Sequence, residues 1–456
     1  MEAAEYVSAL IEKARVAQRE FETYSQEKVD ACVRAVGKVI YDHAEELARK
    51  AVDETGMGVY EHKVVKNKGK PKVTWYKLKG VKSRGIIRRI EEEGIIEVAK
   101  PIGVVGAITP VTNPIMTLPH NAMIALKGGN AILFSPHPKG KNCGKDTVNY
   151  MRGALSALGA PVDLIQIVDD PTIEISGLVM KLADACISTG GPGMVKAAYS
   201  SGKPAFGVGA GNVQCLIDRD ADIADAVPKI FAGRCYDNGT LCTCEQSVIA
   251  PTELVDAVVK EFAKQGAYYI SDEKDVAKLR QAVFPDGGPI SREAAGASPA
   301  KIAQLGGFSI PEGTKMLLVK LDKHGKNEAL AREKLCPVLA LFAYNTWEDA
   351  VAIASANLDC EGKGHSVVIH SFTNKHIEYA GEKLPVSRFA VNQQGSASLG
   401  GTLLNGLNPT ATLGCGSWGN NSISENLWYH HLINISRISY EIKGRKVPTD
   451  EEIWGD

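Results

Sequence analysis

Apolar positions recur along this chain with two different periods. Val29, Cys32, Val33, Val36 and Ile40 fall at i, i+3, i+4, i+7 and i+11, one stripe down a helix. Thr23 with Gln26 offers a capping box ahead of it, and Gly56 ends the helical pattern near "ETGMG". Beyond residue 95 short apolar runs alternate with helical ones. "IGVVGAIT" (102–109), "NAILFSP" (130–136), "DLIQIV" (163–168), "DACIST" (184–189) and "PAFGV" (204–208) read as buried strands. "PIMTLPHNAMIALKGG" (114–129) and the runs near 141–158, 172–182 and 192–202 read as the helices between them.

A second unit runs from about 214 to 410. It holds a helix, "ADIADAVPKIFAGRCY" (221–236), and the strands "QSVIAP" (246–251), "VLALFAY" (338–344) and "HSVVIHS" (365–371). Strands alternating with helices predict an α/β fold, a parallel sheet covered on both faces. Ligands of such sheets bind beyond the strands' carboxyl ends. That directs attention to "TPVTNP" (109–114), "SPHPKGK" (135–141) and "STGGPGM" (188–194). The last joins a strand to a helix, and its glycines allow a backbone to approach a phosphate closely. "HLINISRISYEI" (431–442) alternates like a strand but has no obvious partner of its own, which suits an oligomer contact.

Composition narrows the classes. A chain of 456 residues predicts two or three units. A net charge of −1 with 23% charged residues gives no global field to recruit nucleic acid or a membrane. No apolar run approaches the ~18 residues of a span, and the N-terminus has no secretory h-region. A cytoplasmic protein with its ten cysteines as thiols is expected. From Lys63 to Arg89 there are eleven Lys and Arg and no acid. This stretch is either a solvated surface hairpin or arm, or a contact for an anionic ligand.

"DNGTLCTCEQS" (237–247) holds Cys242 and Cys244 one residue apart. That is too close for a zinc clip, and Cys235, Cys336, Cys360 and Cys415 are solitary, so no metal is expected. A thiol in a loop is a natural nucleophile if donors for an oxyanion lie near. Asn113, in "VTNP", is a candidate donor; turn chemistry before Pro114 is the plainer role.

Seven segments carry a resemblance. They are "TNP" (112–114), "FSPHP" (134–138), "TGGPGMVKAAYSSGKPAFGVGAGN" (189–212), "DNGTLCTCEQS" (237–247), "EKLCPVLA" (333–340), "GHS" (364–366) and "TLGCGSWGNNSISEN" (412–426). Over nearly its whole length the chain resembles the aldehyde dehydrogenase superfamily. It is most similar to the CoA-acylating branch, including the aldehyde half of bifunctional aldehyde–alcohol dehydrogenases, without the alcohol dehydrogenase half. The resemblance implies a Rossmann-like nicotinamide-binding domain (1–83 and 105–213), an α/β catalytic domain (214–412) and a β oligomerisation arm (84–104 and 425–456). A homodimer or homotetramer follows from it.

It also implies roles. Cys242 matches the catalytic cysteine, with Cys244 where relatives carry another small residue. Asn113 and the Cys242 N–H would form the oxyanion hole. Thr189, Gly190 and Gly191 would lie at the cofactor pyrophosphate, Ser135 and Pro136 along its adenosine, and Glu333 on the nicotinamide ribose. His365 would handle cofactor or CoA, or be structural. Lys139 and Lys141 could select NADP over NAD, or be a solvated helix start.

Gly207 falls where hydrolytic relatives carry a general-base Glu, so CoA rather than water should take the acyl group. The expected substrate is acetaldehyde or a polar short aldehyde such as sulfoacetaldehyde, the latter because Cys235, Tyr236, His120, Asn121, Gln393 and Gln394 add polarity. A hydrolytic dehydrogenase and a non-catalytic scaffold of the same fold are the alternatives.

Overall fold

The computed structural model describes residues 2–455. Four helices open the chain: α1 (Ala3–Phe21), α2 (Gln26–Asp42), α3 (Ala44–Thr55) and α4 (Tyr60–Leu78). The stripe on α2 is fully buried, and Gly56 caps α3 in the left-handed region at φ 66°. Ser25, not Thr23, caps α2: its hydroxyl accepts from Lys28 N at 3.3 Å. Gln26 instead accepts from the backbone N–H of Ser83, and Thr23 folds back onto Glu20 O. The expected capping box fails because Thr23 is taken by the end of the preceding helix, Ser25 caps in its place, and Gln26 is drawn to a distant partner.

The basic stretch is no hairpin over its first half. It forms α4, packed between α2 and α3 with Pro71 inside it. Lys63 and Asn67 are buried there. Only its end becomes strand: β1 (Gly85–Ile90) pairs antiparallel with β2 (Ile95–Pro101).

β3 (Val104–Thr109), β4 (Ala131–Pro136), β5 (Ile165–Ile167), β6 (Ala185–Thr189) and β7 (Ala205–Val208) form a parallel sheet in the order β5-β4-β3-β6-β7. Both faces are covered. The crossover helices are α5 (Thr117–Lys127), α6 (Lys141–Ser156), α7 (Ile173–Leu182) and α8 (Pro192–Tyr199). Chain order reverses between β3 and β6, so a crevice opens beyond their carboxyl ends.

A second parallel sheet has seven strands: β8 (Val213–Ile217), β9 (Glu245–Pro251), β10 (Ala267–Ile270), β11 (Met316–Lys320), β12 (Val338–Tyr344), β13 (Val367–His370) and β14 (Phe389–Val391). Their order is β10-β11-β12-β9-β8-β13-β14. Its strands are buried without alternation, as burial on both faces requires. The carboxyl ends of β3 and β6 lead into loops that meet the segments entering β8, β9 and β12. The catalytic candidates all lie on those loops.

The alternating terminal segment is β15 (Ile433–Ser439), and it has a partner within the chain. It pairs antiparallel with β2 from Ile433 opposite Pro101 to Ser439 opposite Ile95. The sheet β1-β2-β15 thereby joins segments far apart in sequence. Ile86, Ile438 and Tyr440 on it are exposed.

Candidate active site

A cavity of about 1240 Å³ opens between the two parallel sheets. Pockets for single drug-sized ligands span about 300–1,000 Å³, so this one has room for more than one small molecule. Among the residues on its wall are Lys66 and Lys70 from α4; Thr112 and Asn113 after β3; Thr189, Gly190 and Gly191 after β6; Leu241, Cys242 and Thr243 before β9; and Arg332, Glu333 and Leu335 before β12.

Cys242 is half-buried on this wall. Burial, then the neighbouring Glu333, pushes its thiol up. Gly211 makes its position possible: a Cβ there would lie 2.1 Å from the Cys242 carbonyl oxygen and 2.6 Å from its Cβ. The same Gly211 donates its N–H to Glu333 Oε1 at 2.9 Å. Glu333 is pushed up to about 7 by burial, and Glu361 pushes in the same direction. Leu335 beside it has φ 42°, a strained conformation for a branched residue. Cys244 does not line the cavity; it is buried, and burial pushes its thiol up to about 12.

Asn113 is held at both ends. Its carbonyl accepts from the Thr117 hydroxyl at 3.0 Å, and its side-chain Oδ1 accepts from Lys66 Nζ at 2.9 Å. Lys66 also donates to Asp237 Oδ2 at 2.7 Å, which Lys63 reaches at 3.0 Å. Burial alone would raise the Asp237 carboxyl. Lys66, Lys63 and the Val59 N–H outweigh it and hold the group well below the usual carboxylate range.

Thr189, Gly190 and Gly191 come together on the cavity wall at the start of α8. The Gly191 N–H meets no acceptor among the described residues, and a Cβ there would point into open space. A free donor at a helix start on an open wall fits an anionic diphosphate. Pro136 lines the same cavity. Ser135 lies behind it, its hydroxyl 2.9 Å from that of Ser176, which does reach the wall.

His365 and Lys139 are not on the wall. His365 is fully buried with no partner for either ring nitrogen, and burial lowers its pKa to about 3. Lys139 is exposed at the turn before α6. Lys141 pairs with Asp170 at 2.6 Å. The α6 N-terminus is already filled by Glu54, which accepts from Asn142 N at 2.9 Å and Cys143 N at 2.7 Å.

Of the six polar residues singled out for the substrate pocket, Tyr236 and Gln394 line the cavity. His120 and Asn121 are wholly buried away from it, Cys235 faces Lys315 O, and Gln393 pairs with Asn405. Gly207 is closed off as well, with Val195 and Tyr199 within 3.0 Å of where its Cβ would stand. Glu425, His430 and His431 gather their ligating atoms within 4.8 Å, with Glu425 Oε1 3.0 Å from His431 Nε2 and 3.5 Å from His430 Nε2.

Sequence reasoning missed Lys66, Lys70, Asp237, Gly211 and Glu361. The basic run was a signal for the two lysines. Nothing local told which of its eleven cations turn inward.

Residues 1–276 match the model of the aldehyde dehydrogenase family. The acetylating succinate-semialdehyde dehydrogenase of Clostridium kluyveri is 51% identical over 98% of this chain and 99% of its own. The acylating sulfoacetaldehyde dehydrogenase of Bilophila wadsworthia is 38% identical over 99% and 98%. An acetylating aldehyde dehydrogenase from Geobacillus thermoglucosidasius superposes with a TM-score of 0.93 at 37% identity, covering 98% of both chains. A Rhodopseudomonas palustris propionaldehyde dehydrogenase, solved with bound CoA and an acylated cysteine, has a TM-score of 0.86 at 28% identity, over 95% of this chain and 97% of its own. This chain belongs to the aldehyde dehydrogenase family. Within it the chain is an oxidoreductase of the acylating branch, whose members couple NAD(P) and CoA to an aldehyde.

Proposed function

We propose that the aldehyde oxidised by this chain is short and carries an anionic tail, with succinate semialdehyde preferred over sulfoacetaldehyde and acetaldehyde. The supporting observation is Lys70. It stands on the cavity wall near enough to Cys242 for a thiolate there to favour its ammonium. Lys70 Nζ donates to Gly400 O at 2.8 Å. An ammonium has three N–H donors, so two remain for a carboxylate or sulfonate. The acids on this wall, Glu333 and Glu361, belong to the stretch before β12 and the end of its following helix. Relatives named for succinate semialdehyde and sulfoacetaldehyde, 51% and 38% identical, lend weight to an anionic tail and to the carboxylate first. Acetaldehyde, expected from sequence as an equal candidate, offers Lys70 nothing to bind.

The chain's residues would then act as follows. The Cys242 thiol gives its proton to water in the open cavity, and its sulfur forms a bond to the aldehyde carbon while the carbonyl π pair moves to oxygen. Asn113 Nδ2 and the Cys242 N–H receive that oxyanion. Glu333 and the Thr189–Gly191 turn hold the nicotinamide cofactor, which supplies the hydride acceptor when bound. Collapse of the oxyanion, with the carbon's hydride leaving to that acceptor, leaves a thioester on Cys242. The CoA thiol attacks it, and its proton passes to the departing Cys242 sulfur, which restores the thiol. Gly207 provides no base for water, so the thioester waits for the thiol. His365, buried off the wall, takes a structural part in this reading. The sheet β1-β2-β15 would carry the contact with a second copy of the chain.

Lys70→Met tests the substrate. It should lower kcat/KM for succinate semialdehyde about 10–100-fold, the worth of one hydrogen bond to a charged group, and leave butyraldehyde within about twofold. An equal loss on both aldehydes would refute the anionic-tail reading.

A further inference from the structure

Among the described residues, Lys66 is the one side chain that hydrogen-bonds both the candidate oxyanion donor and the loop carrying the candidate nucleophile. It rises from α4, far in sequence from both, and only 9% of its side chain is exposed. Its Nζ lies 2.9 Å from Asn113 Oδ1 and 2.7 Å from Asp237 Oδ2.

Three physical consequences follow. First, an amide's oxygen and nitrogen are told apart only by their partners. An ammonium can only donate. Asn113 must therefore turn its oxygen to Lys66, which leaves Nδ2–H free toward the cavity. No acceptor within the described residues meets that nitrogen.

Second, a hydrogen bond accepted at the amide oxygen polarises the amide and strengthens its N–H as a donor.

Third, Asp237 opens the cysteine loop in a strained conformation. Asp237 and Asn238 have φ of 52° and 53°, both left-handed and neither glycine. Asp237 holds this shape through Val59 N at 2.7 Å, Lys63 at 3.0 Å, Thr240 at 3.2 Å and Lys66. The ammonium that orients the donor thus also anchors the loop that presents Cys242. Two lysines against one aspartate leave a positive charge over, and the oxyanion brings the negative charge that balances it.

We propose that Lys66 is a positioning residue for acylation: it fixes Asn113 with Nδ2 toward the reacting oxygen and sets the spacing between that donor and Cys242. The proposal rests on the reading of Asn113 as the oxyanion donor. It gives the start of the basic stretch an internal electrostatic task.

The test is a double-mutant cycle on the full enzyme, reading the single-turnover rate of NADH formation. Asn113→Ala should slow that step about 10²–10³-fold. Lys66→Met should slow it about 10–100-fold, with the aldehyde KM within about threefold. In the Asn113→Ala background Lys66→Met should add less than about threefold, because its route through Asn113 is gone. Lys66→Arg, which restores a charged donor, should recover part of the rate. Equal loss from Lys66→Met in both backgrounds, or no loss in either, overturns the proposal. A full rate for Asn113→Ala overturns instead the oxyanion reading beneath it. Folding is checked by NADH titration, and Lys66→Gln carries the same cycle where Lys66→Met does not fold.

Discussion

Burial lowers the pKa of Lys70 to about 8, with the nearby Cys242 pulling the other way. The ammonium is therefore present below about pH 8 in the free enzyme and lost above it. Recognition of an anionic tail must follow the same curve. The ratio of kcat/KM for succinate semialdehyde to that for butyraldehyde should be flat below pH 7 and fall about tenfold per unit well above pH 8. Taking the ratio cancels the ionisation of Cys242, which both aldehydes share. A ratio that stays level through pH 9 would mean that Lys70 does not face the tail. At the same scale, the two cysteines of "CTC" separate cleanly. Cys242 reaches the cavity, whereas Cys244 is buried beneath it.

Among the structural elements, the segment from β7 to β8 sets the place of the proposed nucleophile, Cys242. It approaches so closely that only hydrogen at the Gly211 Cα fits against the Cys242 carbonyl. Gly211→Ala should push the cysteine loop off its position by about an ångström. A shift of that size costs about 10²-fold in rate. The expected outcome is a kcat loss of that order with NADH still bound, read by burst kinetics and fluorescence titration. The elements around α6 bear on cofactor choice. Glu54 fills the helix N-terminus and Asp170 occupies Lys141, which leaves the exposed Lys139 as the cation at this turn for a 2′-phosphate. NAD should therefore have the lower KM, measured side by side with NADP.

At the scale of the whole molecule, the antiparallel sheet β1-β2-β15 presents two edges and several apolar side chains. Ile86 is 44% exposed and Ile438 45%. Unpaired edges of this kind invite pairing with another chain. Ile86→Glu with Ile438→Glu should reduce the particle mass in light scattering to that of a smaller assembly, with the far-ultraviolet circular dichroism unchanged. An unchanged mass would place the contact elsewhere.

The α/β class and the strands β3 to β7, β9, β12 and β13 could be read from the chain, because continuous apolar runs between glycines leave few other homes for them. The position of Cys242 in a loop, Asn113 after a strand and the glycine turn at 189–191 were equally legible, since each is a local motif. The basic stretch was not. Charge density alone says surface, yet α4 packs inward and Asp237, 171 residues from Lys66, neutralises part of it. Nor could periodicity tell that β15 would find β2, a pairing across more than three hundred residues; only the resemblance placed the two segments in one arm. Local periodicity, turn chemistry and motif spacing were thus set by the sequence itself. Which cations lie inside, which way the Asn113 amide faces and what closes around Gly211 were decided only by the tertiary structure, because each depends on partners that the chain order keeps apart.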